Sequence, residues 1–317
     1  MKTIFMTGGG GAGTIEATRF LRKKGTYKII LGDMDPLAAG FNFTDSFYVL
    51  PEATDEGFIS FISDVISKEK VDVFIPLVDE EIVKSYSLQA LFPDLLILLP
   101  ELKFSSCVLD KYELIKSLKE NNIRYPETFL ASENSRKQIN CPKIVKPRVG
   151  RGSRNVLVIN SEDELEAYLT LIKMSPDSVL VQEKLVGQEF TVSVVVDKAG
   201  RVLAVVPKEI IKKRGITISA VTRHSKKIID LAIEIQNKMS ANGPFNMQLI
   251  LTEEGIPVIF EINPRYSTTI ALTIAAGVDE LTMLIEDGTP AKGLASFKSG
   301  LVMSRYHEKL YFEEKKE

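Results

Sequence analysis

Apolar and polar residues follow one another along the first third of the chain in a pattern that predicts alternating strands and helices. Short apolar runs bounded by turn residues predict strands, and stretches with an apolar residue every three or four positions predict helices. Strands that alternate with helices form parallel sheets with crossover connections. The predicted strands are Thr3–Met6, Lys28–Leu31, Val71–Pro76 and Leu95–Leu98, and the predicted helices are Ile15–Lys23, Phe58–Lys68 and Glu80–Phe92.

The pattern changes after residue 105, where strands come in succession and helices are fewer. Amphipathic helices are predicted over residues 110–121, Glu162–Leu171 and Lys226–Ser240. The sequence therefore predicts an α/β protein, α+β overall, with one domain over residues 1–105 and a second over residues 106–317.

The composition narrows the functional classes. A net charge of −2 gives no reason to expect nucleic acid or an anionic membrane as a partner. No apolar run approaches the roughly 18–20 residues of a membrane span. The two cysteines and two histidines form neither a disulfide framework nor a zinc site. The opening MKTIFMTGGG has an apolar stretch too short for a secretion signal, so we expect a first strand and a cytoplasmic protein.

Three oxygen-bearing side chains are predicted to meet on a β-hairpin. Its two apolar strands are Met247–Leu251 and Pro257–Ile262. Period-2 alternation places Glu261 and Asn263 on one face, and Gln248 can lie beside them on the neighbouring strand. A set with so little negative charge suits Mg²⁺ that is also held by phosphate oxygens, because Mg²⁺ rarely takes a full protein cage.

Basic residues in two places could hold those phosphates. Arg265 follows the hairpin and offers a guanidinium fork for phosphate or carboxylate. The segment Lys143–Ile159 predicts a strand that ends at Lys146, then a glycine-rich basic loop, then a second strand. Glycines let backbone N–H groups approach an anion closely. Because no helix follows the loop, it is not a Walker A motif. Its central residues are Gly150, Arg151, Gly152 and Ser153.

A third element lies between these two. Val179–Gln182 predicts a buried strand, Gly187 breaks the chain, and Glu189 opens a strand of alternating pattern. An extended edge near Glu183 can offer backbone N–H and C=O groups to an adenine ring, and a later carboxylate can bind ribose hydroxyls.

Three groups of residues, in this order and over essentially the whole chain, resemble the ATP-grasp fold: Lys146 with the Gly150–Ser153 loop, Glu183-x₅-Glu189, and Gln248…Glu261-x-Asn263-Pro-Arg265. The nearest resemblance is to the synthetase module of the carbamoyl phosphate synthase large subunit and to related stand-alone ligases. It implies a Rossmann-like, parallel-sheet (pre-ATP-grasp) domain, then an ATP-grasp domain of two α+β subdomains. Residues 143–186 would form the mobile subdomain over ATP.

The resemblance also implies roles for individual residues. In that family a carboxylate attacks the γ-phosphate of ATP, and an amine then displaces phosphate from the acyl phosphate. ATP would be held by Lys111, Lys146, Gly150, Arg151, Gly152, Ser153, Glu183, Lys184 and Glu189. Mg²⁺, with Mn²⁺ as an alternative ion, would be held by Gln248, Glu261 and Asn263. The reacting groups would lie near Arg265, Arg214 and Arg305.

Two departures from the carbamoyl phosphate synthase pattern favour a different product. Thr217 stands where that module has a histidine, and the chain has one module where the full enzyme needs two successive phosphorylations. We therefore expect a ligase that joins a small-molecule carboxylate to an amine, forming an amide or peptide-like bond. A bicarbonate- or carbamate-phosphorylating module is the alternative, and an ATP-binding subunit without turnover is a third hypothesis. A homodimer is one candidate assembly, since related modules often dimerise.

A dinucleotide-binding oxidoreductase is the rival from another class. Gly8-x-Gly10-x-x-Gly13 lies between a strand and a helix, and Asp33 ends the next strand. This is the dinucleotide fingerprint with its ribose-binding acid. Tyr112 with Lys116 could form the catalytic pair of such an enzyme. The domain expected from the resemblance begins with the same glycine pattern and holds no nicotinamide.

Two further features have more than one interpretation. The acids of Asp79-Glu80-Glu81 either complement a helix dipole or face a ligand at the end of the preceding strand. His224 could be a general base, although its place before a polar helix favours an exposed residue.

Overall fold

The N-terminal part of the computed structural model, which describes residues 1–286, 288 and 293–312, is built on a parallel sheet. Its strands are β1 (Lys2–Met6), β2 (Tyr27–Asp33), β3 (Ser46–Val49), β4 (Val73–Ile75) and β5 (Leu96–Ile97). They lie in the order β3-β2-β1-β4-β5, and every pair is parallel, as the sequence predicted. The helices of this region are α1 (Ala12–Lys24), α2 (Phe58–Glu69), α3 (Asp79–Ser85) and α4 (Leu88–Leu91).

The single helix predicted over Glu80–Phe92 is wrong, because the chain forms α3 and α4 with a break between them. At the break the Ser87 hydroxyl donates a hydrogen bond to the Lys84 carbonyl, and such local bonds compete with the helical ladder. Strand β3 was not predicted. It pairs with one neighbour only and has no fully buried position, so it shows no clear apolar face.

Two antiparallel sheets follow. After α5 (Leu102–Leu109) and α6 (Lys111–Glu120), the smaller sheet contains four strands in the order β6-β9-β7-β8, and α7 (Glu162–Ile172) covers it. The strands are β6 (Thr128–Leu130), β7 (Lys143–Pro147), β8 (Leu157–Ile159) and β9 (Val179–Glu183). The Ser161 hydroxyl caps α7 by accepting from the Glu164 N–H at 3.2 Å.

The larger sheet has the order β14-β13-β10-β11-β12-β15. Its strands are β10 (Gln188–Val196), β11 (Val202–Arg214), β12 (Ile216–Thr222), β13 (Phe245–Leu251), β14 (Pro257–Asn263) and β15 (Val302–Ser304). Helix α8 (Lys226–Met239) packs on the face where alternate residues of β10, from Phe190 to Val196, are buried. In the described part of the chain no helix has the length and apolar character to cross a membrane.

The chain returns to the N-terminal sheet after β14. We call residues 264–286 the return segment; it contains α9 (Ile270–Ala275) and α10 (Glu280–Ile285). Ile270, Leu281 and Ile285 complete the buried core between α1 and the parallel sheet. At the crossing, a Cβ on Gly13 would lie 3.1 Å from the Thr268 Cα, so a glycine allows the backbones to approach. The N-terminal core is therefore finished by residues distant in sequence.

A buried polar cluster attaches the return segment to the larger sheet. The Lys208 ammonium donates to the hydroxyls of Ser193 and Thr273 at 2.7 and 2.8 Å, and the Ser193 hydroxyl lies 3.4 Å from a Glu280 carboxylate oxygen. Burial lowers the pKa of Lys208 and raises the pKa of Glu280, while their mutual attraction opposes both shifts. The segment is thus held by apolar packing on one side and by hydrogen bonds on the other.

We predict that Ile270→Ala lowers the free energy of unfolding by about 2–5 kcal/mol, the usual loss for a large-to-small change in a core. Ile270 is 2% exposed and packs against the parallel sheet. Urea denaturation measures the loss, and native-state hydrogen exchange should speed up at the amides of β1. The matched control is Leu171→Ala, because Leu171 is 77% exposed on α7. Equal losses in the two variants would contradict the role of the return segment.

Candidate active site

The predicted amide–carboxylate set converges on the β13–β14 hairpin. Gln248 lies opposite Glu261 in the strand register, and the Asn263 amide donates to the Glu261 carboxylate at 3.2 Å. The register shifts at the next pair, where Leu249 lies opposite Ile259, so Phe260 is the extra residue of a β-bulge.

The donor chemistry of this set fits Mg²⁺. Among the described residues no group of three or more His, Cys, Asp or Glu side chains is arranged to hold a metal ion. One carboxylate with two amide oxygens leaves most ligands of an octahedral Mg²⁺ to water and phosphate, which is the ion's usual coordination in nucleotide sites. The absence of sulfur and imidazole donors from the set disfavours softer transition metals.

Two cavities meet at this hairpin. The smaller cavity, of about 440 Å³, lies between the two antiparallel sheets. The larger cavity, of about 670 Å³, extends towards the Gly8–Gly13 loop that follows β1 of the parallel sheet. Both are lined by Glu80, Arg151, Gly152, Ser153, Arg154, Glu189, Lys213, Gln248 and Glu261. Basic residues, Gln248 and Glu261 therefore lie on the boundary between the two cavities, and Asn263 lines the larger one.

Lys146 lies in the wall of the smaller cavity at the end of β7. Its buried ammonium donates to the Gln182 side chain at 2.9 Å and contacts the Phe260 carbonyl at 3.4 Å. The bulge makes that carbonyl available, because bulged residues leave the strand ladder. Burial lowers the pKa of Lys146 to about 8, although the attraction of Glu261 opposes this shift.

The predicted glycine loop covers the boundary. Gly150 and Gly152 have positive φ values of 134° and 70°, which glycine adopts without strain. The Lys111 ammonium donates to the Gly150 carbonyl at 2.6 Å, and Arg151 forms an ion pair with Glu80 at 2.9 Å. The Ser153 hydroxyl lies 3.4 Å from the Gly215 carbonyl, which connects the loop to the larger sheet.

Of the three residues predicted to contact the base and ribose, two line a cavity and Lys184 does not. Glu183 ends β9 and lines the smaller cavity, and its carboxylate accepts from the Glu127 N–H at 3.2 Å. Glu189 lines both cavities and pairs with Lys213 at 2.6 Å. Lys184 is exposed and lines neither cavity. Its neighbour Leu185 lines the smaller cavity.

Of the three arginines predicted near the reacting groups, one lines the larger cavity and two do not. Arg265 lines the larger cavity, and its Nε donates to an Asp79 carboxylate oxygen at 2.6 Å. Burial is the largest influence and lowers the pKa of Arg265, but the attraction and hydrogen bond of Asp79, together with the attraction of Glu261 and Glu80, outweigh it, so the pKa is raised. Arg305 donates to the Thr268 carbonyl and lies outside the cavity lining. Arg214 is exposed at the end of β11 and lies outside it as well.

Lys213 is a site residue that sequence reasoning missed in favour of its neighbour Arg214. The run Lys212-Lys213-Arg214 gives no sign of which side chain faces inwards. Strand β11 has two register shifts between Ile210 and Lys213, so alternation counted from its apolar residues fails at that point. The signal that could have found Lys213 is charge, because Glu189 on the neighbouring strand is an acid with which a lysine can pair.

The Gly8–Gly13 loop, which follows β1 of the parallel sheet, uses backbone N–H groups for hydrogen bonds within the protein. Gly9 donates to Gly32 and Gly11 donates to Gly8, at 3.0 and 2.8 Å, while Gly10 donates to the Asp33 carboxylate at 2.8 Å. A Cβ on Gly40 would lie 2.1 Å from the Gly9 carbonyl oxygen, so a second turn packs directly against the loop. These contacts occupy groups that a dinucleotide would need, and they argue against the oxidoreductase.

Three other candidate residues lie away from the two cavities. The Tyr112 hydroxyl donates to Glu133 at 2.6 Å, and neither Tyr112 nor Lys116 belongs to the described lining of either cavity. His224 is exposed, as expected, and stacks on Phe297.

Two antiparallel sheets that enclose a buried lysine, a basic glycine loop and an amide–carboxylate set define the ATP-grasp class of fold. The chain belongs to the ATP-grasp family, because residues 108–269 match the ATP-grasp domain. Residues 4–92 match the N-terminal domain described as PylC-like.

Individual proteins are similar over most of this chain. The carbamoyl phosphate synthase large chain of Pyrococcus furiosus is 24% identical over an alignment of 290 residues, and the match covers 81% of this chain and 26% of that protein. The chain thus spans about a quarter of that relative's length. N5-carboxyaminoimidazole synthetase from Staphylococcus aureus, solved with ADP, has a TM-score of 0.76 and 17% identity, with 96% and 82% of the two chains covered. L-amino acid ligase from Bacillus licheniformis has a TM-score of 0.68 and 15% identity, with 91% and 74% covered.

We predict that Mg·ADP binding weakens as the pH rises through about 8. The pKa of Lys146 is lowered to about 8, so its ammonium is charged at neutral pH and loses its proton above that value. Linkage of one proton limits the loss of affinity to about tenfold per pH unit. Isothermal titration calorimetry from about pH 7 to about pH 9 measures this dependence. It should disappear in Lys146→Met and persist in Lys184→Met. A pH-dependence that survives in Lys146→Met would assign it to another group.

Proposed function

We propose that the protein is an ATP-dependent ligase that activates a carboxylate as an acyl phosphate and joins it to an amine, releasing ADP and phosphate. The observation that carries the proposal is the shared boundary of the two cavities. A triphosphate in the smaller cavity would place its terminal phosphate beside Gln248 and Glu261, where the larger cavity begins. A carboxylate in the larger cavity would meet it there.

The smaller cavity has the features that a nucleotide needs. The end of β9 and the residues after it, from Gln182 to Leu185, offer an extended edge to a base, and apolar side chains such as Ile144 and Phe260 form the walls of the cavity. Lys111 and Lys146 supply positive charge for phosphates, and the glycine loop closes over them. Mg²⁺ held by Gln248, Glu261 and Asn263 would neutralise charge on the β- and γ-phosphates.

The reaction requires no nucleophile from the protein. A carboxylate oxygen of the substrate attacks the γ-phosphorus, and the bond to ADP breaks as the acyl phosphate forms. The amine nitrogen then attacks the acyl carbon, phosphate leaves, and the nitrogen loses a proton. Lys213 on the boundary and Arg265 in the wall of the larger cavity supply positive charge, which would stabilise the equatorial oxygens of the transferring group.

The larger cavity and the relatives support a small organic acid as substrate. Its volume of about 670 Å³ is in the range of small-molecule sites. The similar Bacillus licheniformis protein is named an L-amino acid ligase, which makes an amino acid a suitable first substrate to test. Thr217 lines this cavity and offers a hydroxyl, not an imidazole, for a bicarbonate-derived intermediate. Carbamoyl phosphate synthesis is therefore the second candidate. Mn²⁺ use, a homodimer and a cytoplasmic location stay predictions.

The test is transfer of ¹⁸O from the substrate carboxylate to phosphate. A panel of amino acids and small acids is first screened for stimulated phosphate release, and the active carboxylate is then labelled. We expect one ¹⁸O in each phosphate released, because the acyl phosphate oxygen comes from the carboxylate. In Glu261→Gln the rate should fall by about 10²–10³, the range for removing one charge-stabilising group. The exposed Glu56→Gln should be unaffected.

Two outcomes would redirect the assignment. Phosphate release that depends on bicarbonate and on none of the organic acids would favour the carbamoyl phosphate synthase-like module. A thermal shift with NAD(H) or NADP(H) and none with Mg·ATP would favour the oxidoreductase, because a ligand stabilises the protein that binds it.

A further inference from the structure

Two arginines that line the larger cavity are each paired with an acid from helix α3 of the N-terminal domain. Arg265 pairs with Asp79 at 2.6 Å, and Arg151 of the glycine loop pairs with Glu80 at 2.9 Å. The two acids are consecutive and open α3, just after the carboxyl end of β4. One turn of one element therefore compensates two cations that lie far apart in sequence.

The turn that carries these acids is itself fixed. The Glu81 carboxylate is buried and accepts from the N–H groups of Leu77 and Val78 at 2.9 and 3.0 Å, and from the Thr7 hydroxyl. These bonds hold the turn to the end of β1 as well as to α3. Asp79 and Glu80 consequently project from a rigid base, as positioning groups require.

The two ion pairs differ in exposure. The side chains of Arg265 and Asp79 are only 14% and 12% exposed, so separating them would leave a buried charge without its partner. The side chains of Arg151 and Glu80 are 34% and 40% exposed, and pairs of this kind contribute little net stability. A phosphate with several charged oxygens competes well for such an arginine, because it accepts two hydrogen bonds from the guanidinium fork.

We propose that Asp79 and Glu80 are positioning residues of the phosphate site, an inference that rests on the proposed function. Asp79 holds Arg265 in a permanent pair that orients its guanidinium towards the transferring phosphoryl group. Glu80 holds Arg151, and with it the glycine loop, in an exchangeable pair that the phosphates of ATP displace. Helix α3 of the N-terminal domain thus orders the loop before the nucleotide binds.

The proposal predicts opposite effects of the two acids. Glu80→Gln removes a competitor for Arg151, so the Kd for Mg·ADP should fall by about two- to fivefold, the equivalent of one exposed ion pair. Hydrogen exchange over residues 148–156 should become faster in the nucleotide-free variant and equal to wild type when Mg·ADP is bound. Asp79→Asn should lower kcat at least tenfold while the Kd for Mg·ADP changes less than threefold, since the predicted contact of Arg265 is with the transferring group.

Calorimetry and hydrogen exchange report on nucleotide binding and loop order without turnover. They therefore test the Glu80–Arg151 pair independently of the proposed ligase reaction. Glu56→Gln removes the same charge from an exposed position of the same domain and should reproduce wild type in both. Asp79→Glu, which keeps the carboxylate, should recover part of the kcat that Asp79→Asn loses, and thermal unfolding checks that each variant is folded.

An unchanged loop exchange or a weaker Mg·ADP complex in Glu80→Gln overturns the exchangeable pair. An unchanged kcat in Asp79→Asn, or an equal loss in nucleotide affinity, overturns the permanent one.

If wild type binds no Mg·ADP, the proposed function fails. The exchange rates of the nucleotide-free loop in wild type and Glu80→Gln then still decide whether Glu80 orders it.

Discussion

The antiparallel pairing of β13 with β14 is the constraint from which the rest of the site follows. Its register places Gln248 opposite Glu261, and its bulge turns the Phe260 carbonyl towards Lys146 on the other antiparallel sheet. The same strand ends at Asn263, so Arg265 follows at once and reaches Asp79 on helix α3 of the N-terminal domain. A shift of β14 by one residue would move Glu261 and Asn263 to the opposite face of the sheet.

Charge compensation is the second theme of the structure. A site for a triphosphate must contain several cations, which repel one another when no phosphate is present. The protein meets this with acids on neighbouring elements: Glu189 for Lys213, Glu80 for Arg151 and Asp79 for Arg265. Among the residues that the structure describes, Lys146 has no such direct partner and bonds instead to neutral oxygens, so burial lowers its pKa.

Local patterns predicted much of this from the sequence. Alternation identified the parallel sheet and placed Glu261 and Asn263 on one face, because both inferences depend on neighbouring residues only. The resemblance pointed to Arg214 and not to Lys213, and alternation could not have corrected this, since the register shifts of β11 depend on its partner strand. Alternation also gave no indication of α9 and α10, which are short and bury their apolar residues against a sheet whose strands begin far upstream. For Asp79 the sequence left two readings open, and its partner, Arg265, is distant in sequence.

The return segment affects how pieces of this family can be exchanged. The family match to the N-terminal domain ends at residue 92, and the ATP-grasp match ends at residue 269. A chimaera cut at those boundaries would graft a foreign parallel sheet onto Ile270, Leu281 and Ile285, which were shaped for the original one. A domain exchange that preserves the core must therefore move the first domain together with residues 264–286. The structural unit that can be exchanged is thus discontinuous in sequence.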